Sequence, residues 1–233
     1  MIALATSGED FVRAGNIGLF LLNEGSGQTI NDTGGSGNHG FLGTDVTVEA
    51  SDADWVTEGL DFDGTEQARA PDSLNGLTAF TVQVVYAKTA TLGANGGLIG
   101  HIAGGSYIRF LPGQDRVTFN LDCVTTDKAL SEPALTRTDD GSWRMVSVRY
   151  NTGDLQDVFL NNGASPTIEA TSAFATGAVN TGLRSIGSYA GASFFIGKIA
   201  ARLDYNRVLT VAEMQQNYRV LKALLGARGI ALP

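Results

Sequence analysis

Paired carboxylates are the first chemistry this sequence offers. Glu58-Gly59-Leu60-Asp61-Phe62-Asp63 sets acids at close spacing, and glycosidic hydrolysis needs two carboxyls at a set separation across the scissile bond. Side chains alternate along a strand, so Asp61 and Asp63 share a face while Glu58 falls on the other. Gly64 and Thr65 follow, and no third acid continues the register. Asp63 therefore reads as the Asx residue of a Phe-Asp-Gly turn. Nucleophilic catalysis is no better served. No serine stands in G-x-S-x-G, and His39 and His101 are the only histidines. His39 lies in a turn, and His101 ends an apolar strand, the setting of a structural histidine. Cys123 is the single cysteine, so no internal disulfide forms, and without a cationic neighbour in sequence it reads as a buried thiol. The expectation is a protein without catalytic residues.

Binding chemistry is the alternative. Gly35–Gly40 matches G-x-G-x-x-G, but a polar loop precedes it and Phe41-Leu42-Gly43 follows where a helix must open, so it reads as a turn. Gly191–Lys198 resembles a phosphate loop with one residue too many and with Ile199 in place of Ser or Thr. Asp52, Asp54, Asp61, Asp139 and Asp140 are oxygen donors of the type calcium takes, at spacings that define no site. Asn31-Asp32-Thr33 has the form of a glycosylation sequon and reads as turn chemistry. Aromatic faces flanked by hydrogen-bonding groups suit sugar rings. On that ground Tyr107, Arg109 and Asn120, expected on one outward strand face, and Tyr189 in the Gly187–Gly191 loop are the candidate ligand-binding residues.

These residues must be positioned by strands. Phe80, Val82, Val84 and Tyr86 alternate. Ile108, Phe110, Val117, Phe119 and Leu121 point inward, which turns Tyr107, Arg109, Thr118 and Asn120 outward. Other strands are expected at Ile17–Leu22, Phe41–Glu49, Leu98–His101, Arg144–Tyr150, Gln156–Leu160, Ile168, Leu183–Ile186 and Phe194–Tyr205. Gly59–Asp63 and Gln67–Ala70 form a hairpin around Gly64, and Thr125–Thr138 is a long loop. In the last strand Gly197 marks a bulge or a close approach. Beyond Leu209 the period becomes helical. Thr210 and Glu213 form a capping box, Leu209 and Met214 a hydrophobic staple, and Met214, Tyr218, Leu221 and Leu225 one apolar stripe, with Gly226 at the left-handed C′ position. The reading is one all-β domain, an antiparallel β-sandwich over 17–233 that includes a C-terminal helix over 210–226. Residues 1–16 are an N-terminal arm or short helix.

Thirty glycines against five prolines in 233 residues suit many tight turns. The net charge of −8 argues against nucleic acid and anionic membranes and leaves cations or neutral glycans open. Met1–Gly15 contains Glu9, Asp10 and Arg13 and lacks the pattern of a signal peptide, and no run is long enough to span a bilayer. Cytoplasmic synthesis is expected.

FFIGKIAARLDYNRVLTVAEMQQNY at Phe194–Tyr218 resembles the C-terminal signature of the laminin-G-like, concanavalin A-like jelly-roll domains. Gly18–Leu42 resembles that family's opening strand and Asp/Ser/Gly/Asn loop, Trp55–Gly64 its G-L-x-F-D-G strand, and Trp143–Gly163 its W-x-x-V-x-V-x-Y strand and hairpin. The matches run in family order from Gly18 to Tyr218. The resemblance implies a jelly-roll sandwich and a non-catalytic recognition or structural module, similar to those of tailed-phage structural proteins. It implies a virion or extracellular surface location, and either a glycan or cell-surface ligand or docking on other particle proteins. It admits a structural calcium, and polysaccharide cleavage is the remaining alternative.

Overall fold

The structure, a computed structural model, describes residues 9–71, 73–90, 96–101, 105–110, 117–123, 128–131, 141–161, 163–165, 167–169, 175–180, 182 and 184–233. Leu183 of the expected strand Leu183–Ile186, most of the expected loop Thr125–Thr138, and Asp139 and Asp140 lie outside them. Within the long expected loop the chain forms the strand Lys128–Ser131, paired with Val117–Leu121.

Two antiparallel sheets stack face to face, each of eight strands among the described residues. The first runs Ile168–Glu169, Leu155–Leu160, Trp143–Asn151, Ala79–Lys88, Ile196–Tyr205, Gly59–Asp63, Asp54–Val56, and Asn16–Phe20 also pairs with Ile196–Tyr205. The second runs Lys128–Ser131, Val117–Leu121, Tyr107–Phe110, Gly96–Gly100, Ser185–Ile186, Ala68–Arg69, Gly40–Leu42, Thr29–Ile30. Between them Phe80, Val82, Val84 and Tyr86 meet Ile108, Phe110, Val117, Phe119 and Leu121, all fully buried in one core. Tilted and edge-on ring pairs fill it: Phe80 with Phe119 and Tyr150, and Tyr86 with Phe110 and Phe195. The alternate residues read from the sequence are the ones that enter this core, while Thr81, Gln83 and Val85 on the opposite face of the central strand are buried too.

A second apolar layer lies on the outside of the first sheet. Val85, Met145, Ala201, Leu203 and Tyr205 turn outward there, and the helix Val211–Gly226 covers them with Met214, Tyr218, Leu221 and Leu225. The capping box is formed as expected: Thr210 Oγ1 accepts from Glu213 N, and Thr210 N donates to the Glu213 carboxylate. Asn217 is buried at the centre of this layer. Its Nδ2 donates to Gln83 Oε1 at 2.7 Å and to Tyr205 Oη at 2.9 Å, and its Oδ1 accepts from Val12 N. Residues 9–15 form no helix. They lie along the helix, where Glu9 pairs with Arg219 and Asp10 O accepts from Gln216.

Three expectations are corrected, and one of two alternatives is decided. Gly226 is the last helical residue and does not take a positive φ; Gly229 does, at 81°. Ile230 N then donates to Leu225 O and Gly229 N to Gly226 O, which is a Schellman motif with Ile230 packed in the same cluster as Leu225. Gly59–Asp63 and Ala68–Arg69 are no hairpin; they belong to opposite sheets, and the chain crosses between layers at Gly64. The strand expected over Phe41–Glu49 stops at Leu42, and Val46 and Val48 are 71% and 84% exposed. Of the two alternatives at Gly197, a bulge or a close approach, the second is realised, and the register shift in the last strand falls between Ile199 and Ala201. Gly197 is the close approach, since a Cβ there would stand 2.2 Å from Ala87 O. That bulge reverses the side-chain alternation, which sends Leu203 and Tyr205 to the helix and turns Arg202 and Asp204 into an enclosed ion pair at 2.8 Å.

Candidate functional site

Tyr107 and Arg109 stand two apart on one strand, so both face away from the sandwich core. In the neighbouring strand their partners are Gly100 and Gly97. Two residues without side chains leave a trough in the sheet surface, and a small ribbon, Ser188–Tyr189 paired with Ser193–Phe194, lies across it. The fit leaves no room: a Cβ on Gly97 would come within 2.4 Å of Tyr189 N, and one on Gly100 within 3.0 Å of Ser188 O. Ala190 N donates to His101 O at 3.0 Å, Gly187 N to Leu98 O at 2.9 Å, and Ser188 Oγ to Gln67 Oε1 at 3.1 Å, which ties the ribbon down.

The ribbon delivers Tyr189 to the pair on the strand. The Tyr107 and Tyr189 rings meet edge to face with centroids 4.6 Å apart. The Arg109 guanidinium lies 4.1 Å from the centre of the Tyr107 ring and 5.4 Å from that of Tyr189. Arg109 Nε is enclosed and has no hydrogen-bond partner among the described residues. Asn120, opposite Tyr107 in the adjacent strand, donates its Nδ2–H to Gly105 O at 2.8 Å. Thus Tyr107, Arg109 and Tyr189 form one cluster, with Asn120 beside it in the sheet. Their parts differ from a flat aromatic platform. Tyr107 is only 9% exposed, its phenol pushed up by burial, and it supports the guanidinium from beneath. Asn120 holds the Gly105 backbone. The part of the cluster with chemistry to offer a ligand is a cation backed by two rings, a geometry in which arginine recognises planar anions.

Sequence inspection missed the positioning residues, Gly97, Gly100 and Ser188. The signal was present as Gly96-Gly97-Leu98-Ile99-Gly100, a strand too rich in glycine unless another backbone approaches it.

The acids considered for hydrolysis are employed locally. Asp63 Oδ1 accepts from Thr65 N and Thr65 Oγ1, the Asx turn read from the sequence. Glu58 pairs with Lys198 at 3.0 Å. Asp61 lies opposite Asp54 across the strand pair. Glu66, 8% exposed, accepts from Asp63 N at 2.9 Å and is pushed up to about 6 by burial, with Asp63, Asp54 and Asp61 adding to the shift. Asp52 accepts from Gln28 Nε2 and from Glu49 N. Among the described residues no three His, Cys, Asp or Glu side chains are grouped to hold a metal ion. His39 Nδ1 accepts from Asp32 N within its turn, and Cys123 is buried beside the Tyr150 hydroxyl. The G-x-G-x-x-G run leads into the strand Gly40–Leu42 rather than a helix.

No family model matches the chain, and no curated protein matches it in sequence. Solved structures match it in fold. The binding domain of botulinum neurotoxin DC in complex with SialylT superposes with a TM-score of 0.60 at 10% identity, over 90% of this chain and 52% of that one. The binding domain of Paraclostridial mosquitocidal protein 1 gives 0.64 at 12% identity, over 88% and 52%. The structure of botulinum neurotoxin type C, whose cell entry depends on interaction with two ganglioside molecules, gives 0.63 at 11%, over 89% and 51%. This chain spans about half the length of those chains. At such identities the likeness is one of fold: an antiparallel β-sandwich of the kind found in receptor-binding domains.

Proposed function

We propose that this domain is a non-catalytic recognition module that binds a carboxylate-bearing glycan of a cell surface. The observation that carries the reading is the Arg109 guanidinium stacked over Tyr107 beside Tyr189. A flat fork of N–H donors matches a carboxylate by paired hydrogen bonds, and rings behind it hold the fork in place at low entropic cost. In a chain of net charge −8, such a cation is a local exception that gives an acidic ligand a place to dock. Support comes also from the fold neighbours, one of them solved in complex with SialylT and another whose cell entry depends on two ganglioside molecules. The chain's resemblance to phage structural domains suggests that the module is carried on a particle surface. A glycan array tests this: the protein retains acidic glycans over their neutral counterparts, and Arg109→Ala loses that preference. Uniform failure to retain any glycan contradicts it.

A second reading, docking on a particle shell, is favoured by one feature. Val46 and Val48 project from the loop after Leu42, the only large hydrophobic side chains left mostly exposed among the described residues. The arm at 9–15 is already packed on its own domain and is not free for that role. Replacing both valines with Ser abolishes shell association under this reading and leaves glycan retention unchanged.

A further inference from the structure

The edge of the first sheet carries a second concavity, well away in sequence from the Arg109 cluster. It is an open depression of about 540 Å³ lined by Gly25, Trp55, Val56, Thr57, Glu58 and Lys198, a volume within the roughly 300–1,000 Å³ of small-molecule sites. We propose that it is a saccharide subsite that takes one neutral hexose ring against Trp55.

Three features specify that ligand. Trp55 is held in place, since its Nε1–H donates to Gly27 O at 2.8 Å, so it offers an apolar surface rather than a donor. Glu58 and Lys198 stand 3.0 Å apart as an ion pair, partly exposed on both sides. A carboxylate only accepts and an ammonium only donates, whereas a hydroxyl does both; two adjacent hydroxyls therefore satisfy the pair together. The two charges also cancel, so neither a lone anion nor a lone cation is favoured. A neighbouring cavity of about 360 Å³ that shares Trp55 is lined by Glu49, Asp52, Asp54 and Glu66 and lacks this balance.

The walls are fixed in advance. Arg228, following the helix, donates to the Thr57 and Glu58 carbonyls and to Leu21 O at 2.8 Å and Leu22 O at 3.2 Å. It locks the turn that carries Glu58 from behind, which lowers the ordering cost of binding. Gly25 has a positive φ of 73°, and a Cβ there meets nothing within 4 Å, so the floor is open where a side chain would occupy it.

The inference extends glycan recognition to a second place and does not need the Arg109 cluster. The test uses the full chain in a Trp143→Phe background, so that Trp55 is the sole tryptophan. The probes are the methyl α-glycosides of glucose, galactose and mannose. At least one shifts the Trp55 emission saturably in the millimolar range. Gly25→Asn, a residue that accepts a left-handed backbone, and Lys198→Met each weaken that response about tenfold or more with melting temperature preserved, and Arg109→Ala leaves it intact. No response to any of the three, or a response that survives both cavity substitutions, overturns the subsite. A hexoside response lost in Arg109→Ala alone also overturns it, and assigns the sugar to the other face.

Discussion

The Arg109 guanidinium sits 4.1 Å above Tyr107, the residue two positions before it on the same strand. Two glycines in the next strand make the pairing accessible to Tyr189, whose ribbon could not lie there over any larger side chain. Gly97→Ala therefore displaces the ribbon and separates Tyr189 from the cluster. It lowers ligand retention as Arg109→Ala does, and unlike Arg109→Ala it also lowers the melting temperature, by an overpacking cost of about 1–3 kcal/mol. Calorimetry on both variants checks the difference.

Glu66 gives a pH signature. Its folded value of about 6 lies above the ordinary 4.5, so the folded state favours the protonated acid. The penalty for ionising it is absent below pH 4.5 and grows as pH rises through 6. Glu66→Gln retains an acceptor for Asp63 N and removes the penalty, stabilising the protein by about 1–2 kcal/mol at pH 7.5 and by little at pH 4. Denaturant titrations at both pH values read this directly.

Glu213 behaves oppositely. The hydrogen bonds from Arg207 hold its carboxyl at about 2, so its contribution is present above pH 4.5 and disappears as pH falls toward 2. Thr210→Ala breaks the box from the other side and costs about 1 kcal/mol at neutral pH. Guanidinium unfolding midpoints for Thr210→Ala at pH 7, and for the parent between pH 5 and 2, measure the two effects.

Arg202 and Asp204 are both enclosed, at 2.8 Å, and burial pushes the Asp204 carboxyl up against the pull of Arg202. Asp204→Ala strands a cation in the core and costs about 3–5 kcal/mol, whereas Arg202→Met with Asp204→Leu restores most of it. Equilibrium unfolding of the two variants distinguishes an ion pair kept for specificity from one on which stability depends.

How much of this was legible beforehand depended on whether the signal was local. Phe80–Tyr86, Ile108–Phe110 and Val117–Leu121 showed their core-facing residues because one face of each strand is apolar. Thr210, Glu213 and Leu209 declared the helix start because a cap is built from neighbours. The turn at Gly64 was misread because the same residues serve a hairpin or a passage between sheets, and only pairing partners far along the chain decide. Val46 and Val48 look like strand residues, yet among the described residues they belong to no strand and stand exposed. The insertion near Ala200 inverted Arg202–Tyr205, an effect that periodicity cannot foresee. Of the candidate site, the outward face holding Tyr107, Arg109 and Asn120 followed from alternation. The trough that seats Tyr189, and the Trp55 cavity assembled from three distant segments, emerge only from the folded chain.

The most direct measurement is an equilibrium titration of the intact protein with sialyllactose and with lactose, repeated on Arg109→Ala and Arg109→Lys. A recognition face built on a stacked guanidinium predicts saturable binding of the acidic sugar over the neutral one. It also predicts a loss of about tenfold, or about 1.4 kcal/mol, in the Ala variant, with incomplete rescue by Lys. Equal affinity for the two sugars, or an acidic preference that survives in Arg109→Ala, contradicts it.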